Sequence, residues 1–320
     1  MSGNDHCPSV FYYHPSCENL AQNIVNGCKG KVIEGKILWK LFPDNWPNLF
    51  IEDVKKNCVG RNVIFLGNLQ SPQIIFEQLA ILYALPKYLS RSVTFILPYF
   101  PTGTMERIET EGTIATAATL ARMISATPLS SRGPCQTIIF DIHALQERFY
   151  FGDSVIPRLE SAMTLLSKKI QFEQMSNVCI VFPDDGATKR FKSHFESYFP
   201  IATCLKVREG NERIVKLKEG AVKDMNCIIV DDLVMTGGTL MECAKVLKAS
   251  GASSVKTFVT HAVFPNGSWK KFIDCDLIDK FFITDSLPNA YEIAKHKPFE
   301  LMSLGGIISD ILLNYDVYLH

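Results

Sequence analysis

Residues 228–239 read Ile228-Ile229-Val230-Asp231-Asp232-Leu233-Val234-Met235-Thr236-Gly237-Gly238-Thr239. The opening β-branched run predicts a buried strand. Such a strand delivers two adjacent carboxylates to the carboxyl edge of a sheet, where open α/β folds bind ligands. The glycines then let the backbone turn tightly with its N–H groups inward, flanked by two threonine hydroxyls. A helix is expected from about Thr239, so its positive N-terminal end also faces the loop. Together these make a phosphate cradle. Asp231 and Asp232 cannot serve that phosphate, because like charges repel; they suit sugar hydroxyls or the water shell of a magnesium ion. The plainer alternative is a strand–turn–helix junction with solvated turn aspartates, and the complete order of strand, Asp-Asp, Thr-Gly-Gly-Thr and helix argues against it.

Working outward, similar buried runs recur at Val63–Leu66, Val93–Leu97, Thr137–Ile142, Val178–Phe182, Cys227–Val230 and Val255–Thr260. Amphipathic stretches lie between them: Ile74–Leu85, Ile114–Ile124 with Ile114, Ala117, Ala121 and Ile124 on one face, and Leu240–Ala249, stopped by Gly251. Strands alternating with helices imply βαβ crossovers and mostly parallel sheets. A weak internal symmetry follows, since VIFLGNLQSPQIIFEQL in the first half has the same order of elements as CIIVDDLVMTGGTLMECAKVL in the second. Each half reads as one α/β domain, joined near Gly152–Leu159.

Composition bounds the function. At 320 residues the chain predicts about two domains. Its 33 lysines and arginines balance 33 aspartates and glutamates, which argues against a broad basic surface for nucleic acid. No apolar run is long enough to span a bilayer, so no membrane partner is expected. Ten cysteines show no Cys-x-x-Cys spacing, so neither a disulfide framework nor a zinc site is expected. The first residues, MSGNDHCPSVFYYHP, lack the basic start and apolar segment of a secretory signal, which makes the cytoplasm the expected compartment.

The segment DDLVMTGGT resembles the binding motif of the ribose-phosphate diphosphokinases, also called phosphoribosyl pyrophosphate (PRPP) synthetases, which the type I phosphoribosyltransferases share in looser form. Further segments favour the synthetases: LPYFPTGTMERIETEG resembles their nucleotide loop, DIHALQERFYF their histidine segment, VFPDDGATKR their metal-binding aspartate segment, and THAVFP the strand after the binding motif. The likeness covers about Trp39 to Leu312 and is nearest to the plant-type, phosphate-independent branch. It implies two similar phosphoribosyltransferase-like domains, each a mostly parallel sheet flanked by helices. Residues 1–156 are expected to carry the nucleotide and adenine-side loops and the metal histidine. Residues 157–302 would carry the sugar-phosphate motif and catalytic loop, and 303–320 a helix or tail packing on the first domain.

The resemblance implies transfer of the β,γ-diphosphoryl group of ATP to the anomeric hydroxyl of ribose 5-phosphate, giving PRPP and AMP, with Mg2+ as cofactor. Thr236, Gly237, Gly238 and Thr239 would hold the 5-phosphate, and Asp231 and Asp232 the ribose hydroxyls. Lys206 and Arg208, in LKVREGNERIVKLKEG, match the mobile catalytic loop; without the resemblance that run reads as a solvated hairpin. His143 matches a histidine that contacts metal or nucleotide phosphate, and Asp184 a metal-binding carboxylate. Asp141 either orients the strand end or is structural, and Asp185 has no assigned role. Phe42, with Asp44 or Asn48, matches an adenine-side loop that reaches the site from a neighbouring subunit, which implies a homo-oligomer.

Two departures stand out. The adenine-side loop is widened by Trp46 and Pro47. Where many family members carry an Arg-Gln pair, this chain has Thr104-Met105-Glu106-Arg107, leaving Arg107 as the substitute phosphate clamp and Met105 and Ile108 as either loop or core contacts. Met235 replaces the acidic residue usual in phosphoribosyltransferases, which weakens a base-exchange reading. Two alternatives to an active diphosphokinase remain: a non-catalytic regulatory homologue, and a phosphoribosyltransferase.

Overall fold

The computed structural model of the protein describes the backbone of residues 8–209 and 212–316, and side chains over 8–205 and 215–314. Two compact units divide the chain: residues up to Glu160 together with those from Ser303 onward, and Ser161–Met302.

The first unit is built on a parallel sheet of six strands in the order β2-β1-β5-β6-β7-β8. These are β1 (Ser9–Tyr13), β2 (Val32–Glu34), β5 (Asn62–Leu66), β6 (Ser92–Ile96), β7 (Cys135–Phe140) and β8 (Val155–Glu160). A separate antiparallel hairpin pairs β3 (Ile37–Leu41) with β4 (Pro47–Ile51). Helix α3 (Pro72–Lys87) starts where the Ser71 hydroxyl accepts from the Ile74 N–H, with proline at the first helical position, where its missing N–H costs nothing. Leu82 and Leu85 of α3, and Leu120 and Ile124 of α4 (Thr116–Ser125), join Phe65 and Phe95 in one core. Helix α4 starts two residues later than its apolar spacing predicts, and Ile114 lies outside it, 70% exposed.

The C-terminal helix α9 (Gly305–Ile311) returns to this unit and packs on α1 (Glu18–Gly27). Glycine permits the close crossing. A Cβ on Gly27 would stand 2.3 Å from Ser309 Oγ, and one on Gly305 2.6 Å from Asn23 Cβ. At that separation the Ser309 hydroxyl donates to the Ile24 carbonyl at 3.0 Å.

The second unit holds seven strands in the order β11-β10-β9-β12-β13-β14-β15, parallel except for the β10–β11 pair. They are β9 (Val178–Phe182), β10 (Ile201–Glu209), β11 (Glu212–Glu219), β12 (Asn226–Val234), β13 (Ser254–Ala262), β14 (Lys280–Thr284) and β15 (Phe299–Met302). Helix α7 (Gly238–Ala249) presses Leu240, Cys243 and Leu247 onto Cys227, Ile229 and Val255 of the sheet. Both units are thus α/β, with helices on a mostly parallel sheet. The strand runs past Thr260, so His261 lies inside β13, 2% exposed, with its Nδ1 2.9 Å from Ser286 Oγ.

Another buried histidine, His14, follows β1. Its Nδ1 accepts from the Ser16 N–H and lies 2.7 Å from Ser16 Oγ, while the ring meets Trp39 edge-on. Burial pushes its pKa down from 6.5 to about 4. Folding therefore favours the neutral ring, so the stability it contributes is complete above about pH 6.5 and is lost as pH falls toward 4. Urea unfolding across that window is expected to show a steeper pH dependence for the wild type than for His14→Gln, and equal slopes would remove His14 from the acid limb.

Candidate functional site

In the second unit the decisive geometry comes from one strand outrunning another. Strand β9 pairs with β12 only as far as Ile229, opposite Val181, and ends at Phe182. Strand β12 continues to Val234 with β13 still beside it, Asp231 opposite Val259. Past the end of β9 the chain turns into helix α6 (Asp185–Phe195), started by Asp184, whose carboxylate accepts from the Ala187 N–H at 2.9 Å.

Arg190 of α6 meets both carboxylates of β12. Its Nη2 lies 2.6 Å from Asp232 Oδ1 and 3.3 Å from Asp231 Oδ1. Asp232 is only 2% exposed, and Asp231 Oδ1 also accepts the Asp232 N–H at 3.0 Å. Burial, then the charge of Asp232, push the Asp231 carboxyl upward, while Arg190 pulls it down. No cue in the sequence joined Arg190 to this pair: it closes the run VFPDDGATKR, quoted above for its aspartate.

The loop after β12 is tightly supported. Gly237 sits in the left-handed region at φ 74°, and a Cβ there would come within 2.5 Å of the Phe272 ring. Only glycine meets both demands without strain. The Ser268 hydroxyl donates to the Met235 carbonyl at 3.1 Å, and the Phe264 N–H to the Val234 carbonyl at 3.2 Å. Helix α7 begins at Gly238 with no side-chain cap from Gly237, so its first N–H groups face the loop. Thr236 and Gly238 are exposed, and no atom lies within 4 Å of a Cβ placed on Gly238. The arrangement suits an anion at the helix end with a hydroxyl-bearing group beside the aspartates.

Lys206 and Arg208 belong to β10, opposite Val215 and Arg213 of β11. Their backbone is a hairpin strand; their side chains lie outside the described residues. At the base of that hairpin, Gly220 has φ 93° and packs so closely on Ala202 that a Cβ would stand 2.6 Å from its Cα. Asp185, which had no assigned role, is ion-paired with Lys218 at 2.8 Å.

In the first unit, the segment after β7 carries His143 and packs against the 102–107 loop. A Cβ on Gly103 would lie 3.4 Å from His143 Cβ. Glu106 is buried and bound by Arg107 Nε at 2.6 Å, and the Tyr150 hydroxyl donates to its carbonyl. Burial pushes the Glu106 carboxyl up, but Arg107 and, less strongly, His143 hold it below its ordinary value. Arg107 is thus committed to Glu106 along one edge, with its side chain 72% exposed. Met105 and Ile108 are exposed, which excludes them from the core. Asp141 has φ 37° and its N–H bonds the Glu160 carbonyl at 2.9 Å, which ties the end of β7 to β8.

Phe42, Asp44 and Asn48 lie at the tip of the β3–β4 hairpin, all exposed. Asp44 Oδ1 accepts the Trp46 N–H at 3.2 Å, which closes the widened turn, and Trp46 meets Phe76 of α3 edge-on. Among the described residues, no three histidine, cysteine, aspartate or glutamate side chains gather closely enough to hold a metal alone. Magnesium needs no such cage: one or two carboxylates beside substrate phosphates and water suffice, and Asp184 offers such an oxygen. Among the described residues, no helix is long and apolar enough to cross a membrane.

Residues 151–284 match the phosphoribosyl transferase domain family. The chain is 48% identical over 309 residues to "Ribose-phosphate pyrophosphokinase 3, mitochondrial" of Spinacia oleracea, covering 94% of this chain and 75% of that protein. It is 51% identical to "Ribose-phosphate pyrophosphokinase 3, chloroplastic" of Oryza sativa subsp. japonica, covering 95% and 76%. It is 46% identical to "Ribose-phosphate pyrophosphokinase 4" of Arabidopsis thaliana, covering 94% and 90%. The fold is similar to that of a solved phosphoribosylpyrophosphate synthetase from Mycobacterium smegmatis, with a TM-score of 0.79 at 20% identity over 96% of this chain and 98% of that one. Identity near one half, sustained along nearly the whole length, makes this chain an enzyme of the ribose-phosphate pyrophosphokinase family.

Proposed function

We propose that this enzyme transfers the β,γ-diphosphoryl group of ATP to the anomeric hydroxyl of ribose 5-phosphate, releasing AMP and forming PRPP. The observation that carries the reading is the strand–loop–helix of β12 and α7: paired carboxylates, then a glycine turn opening onto an uncapped helix end. In this reading the N–H groups around Thr236–Thr239 and the threonine hydroxyls bind the 5-phosphate. Asp231 and Asp232 accept hydrogen bonds from the ribose diol, which fixes the sugar ring and so aims its anomeric oxygen. Lys206 and Arg208 stabilise charge on the transferring phosphates, where positioning and neutralisation count for more than a strong base.

Asp184 on the second unit and His143 on the first are the groups we assign to magnesium and to nucleotide phosphate. Magnesium, when bound, supplies positive charge that neutralises phosphate oxygens. Phe42 is assigned to stack on adenine, with Asp44 or Asn48 as hydrogen-bonding partners and Arg107 as a phosphate contact. The exposure of Phe42, Trp46 and Phe50 on one hairpin supports contacts made toward a neighbouring copy in a homo-oligomer. The free thiols of the described cysteines support a reducing compartment, which we take to be the cytoplasm.

Purified protein with magnesium, ATP and ribose 5-phosphate, in buffer free of inorganic phosphate, is expected to release AMP only when the sugar is present. Silence would favour a non-catalytic homologue, and consumption of PRPP dependent on a nucleobase would favour a phosphoribosyltransferase. Lys206→Ala should lower kcat by about 100-fold or more, the scale of one transition-state contact, while ribose 5-phosphate binds almost normally by calorimetry. Near-full turnover in that variant would remove Lys206 from the mechanism. Gly237→Val should abolish sugar-phosphate binding, because it combines a disfavoured backbone with a clash against Phe272. Unchanged binding would mean that the loop can shift without loss.

A further inference from the structure

Adjacent residues of an extended strand point to opposite faces of the sheet. Asp231 and Asp232 lie together in β12, so by strand geometry alone their carboxylates would diverge. Instead both Oδ1 atoms lie near one nitrogen, Arg190 Nη2, at 3.3 and 2.6 Å. The Asp232 N–H, donated to Asp231 Oδ1, adds a second restraint on the same oxygen. Arg190 is well placed to impose this convergence. It stands near the middle of α6, its side chain is only 18% exposed, and its guanidinium lies 5.4 Å from the centre of the Phe191 ring.

We infer that Arg190 is a positioning residue that draws Asp231 and Asp232 onto the two adjacent hydroxyls of the sugar, and so sets the preference for ribose over 2-deoxyribose 5-phosphate. The inference rests on the reading of the aspartates as diol contacts. An ionised carboxylate only accepts, and two of them side by side give each hydroxyl of the diol its own acceptor. Side by side and largely buried, they repel unless a countercharge is present. Arg190 supplies that charge, and its one nitrogen Nη2 reaches both oxygens. A site shaped to pair with both hydroxyls loses one of those bonds when the 2-hydroxyl is missing, while the sugar still displaces water from the carboxylates. With the carboxylates no longer held to one point, that mismatch is relieved, and the penalty on the deoxy sugar shrinks.

The test measures kcat/KM for ribose 5-phosphate and for 2-deoxyribose 5-phosphate, together with KM for ATP, in the wild type, Arg190→Lys and Arg190→Gln. In Arg190→Gln the ratio of the two kcat/KM values is expected to fall by about tenfold or more, with KM for ATP changed by no more than about twofold. Arg190→Lys keeps the charge but carries it on a shorter-reaching, flexible ammonium, so its ratio should lie between the other two. A general loss of activity at an unchanged ratio would overturn the inference, as would KM for both substrates rising in parallel. If Arg190→Gln does not fold, the ratio in Arg190→Lys decides; failure of both to fold would make Arg190 a structural residue and also overturn it. Absence of ribose-dependent AMP release in the wild type is a separate result, which defeats the diphosphokinase reading and not the role of Arg190.

Discussion

Everything the second unit offers a ligand depends on β12 extending beyond the end of β9. Where the two strands run together, backbone groups satisfy one another, and the side chains of Cys227, Ile228 and Ile229 are apolar and buried. Beyond Ile229 that neighbour is gone, and the space beside β12 admits polar groups brought by α6. Two acidic residues at this point would be costly in an apolar setting, and they persist because a helical arginine reaches back to them. The glycine turn and α7 follow directly, so the carboxylates and the open helix end belong to one continuous piece of chain.

The two units solve a common problem in different ways. In the second, a single strand–loop–helix carries most of the polar groups. In the first, the polar cluster is assembled from separate loops: the 102–107 turn rests on the segment after β7, with Glu106 buried among Arg107, Tyr150 and His143. The loops meet at ordinary packing distance, a Cβ on Gly103 coming 3.4 Å from His143 Cβ. The hairpins of the two units also differ. The β3–β4 hairpin stands apart from the main sheet, whereas β10–β11 extends the second sheet at its edge.

Local features were legible in the chain because their physics is local. A run such as Val178–Phe182 is wholly apolar and β-branched at intervals, and the strand matches it residue for residue. The reading of 228–239 as strand, turn and helix needed only neighbouring residues, although β12 extends through the aspartates instead of stopping before them. Strands with weaker composition escaped: β2 and β15 are short, β8 contains a proline, β10 turns charged from Lys206 onward, and β11 is dominated by charge. The start of α4 was misplaced because Ile114 fits the helical spacing yet faces solvent. Arg190 was hidden for another reason. Its partners lie 41 and 42 residues further on, and only the folded sheet brings them together.

The crossing of α9 on α1 has a consequence for how the protein is made. The first unit is discontinuous, because its last helix is encoded after Met302 while its sheet is complete by Glu160. A ribosome adding about 5–20 residues per second would spend on the order of ten seconds on the intervening segment. Throughout that interval the face of α1 that carries Asn23 and Gly27 waits for its partner helix. The continuous second unit emerges whole before the first can be finished. Completion of the nascent first unit therefore comes last, although its synthesis begins first.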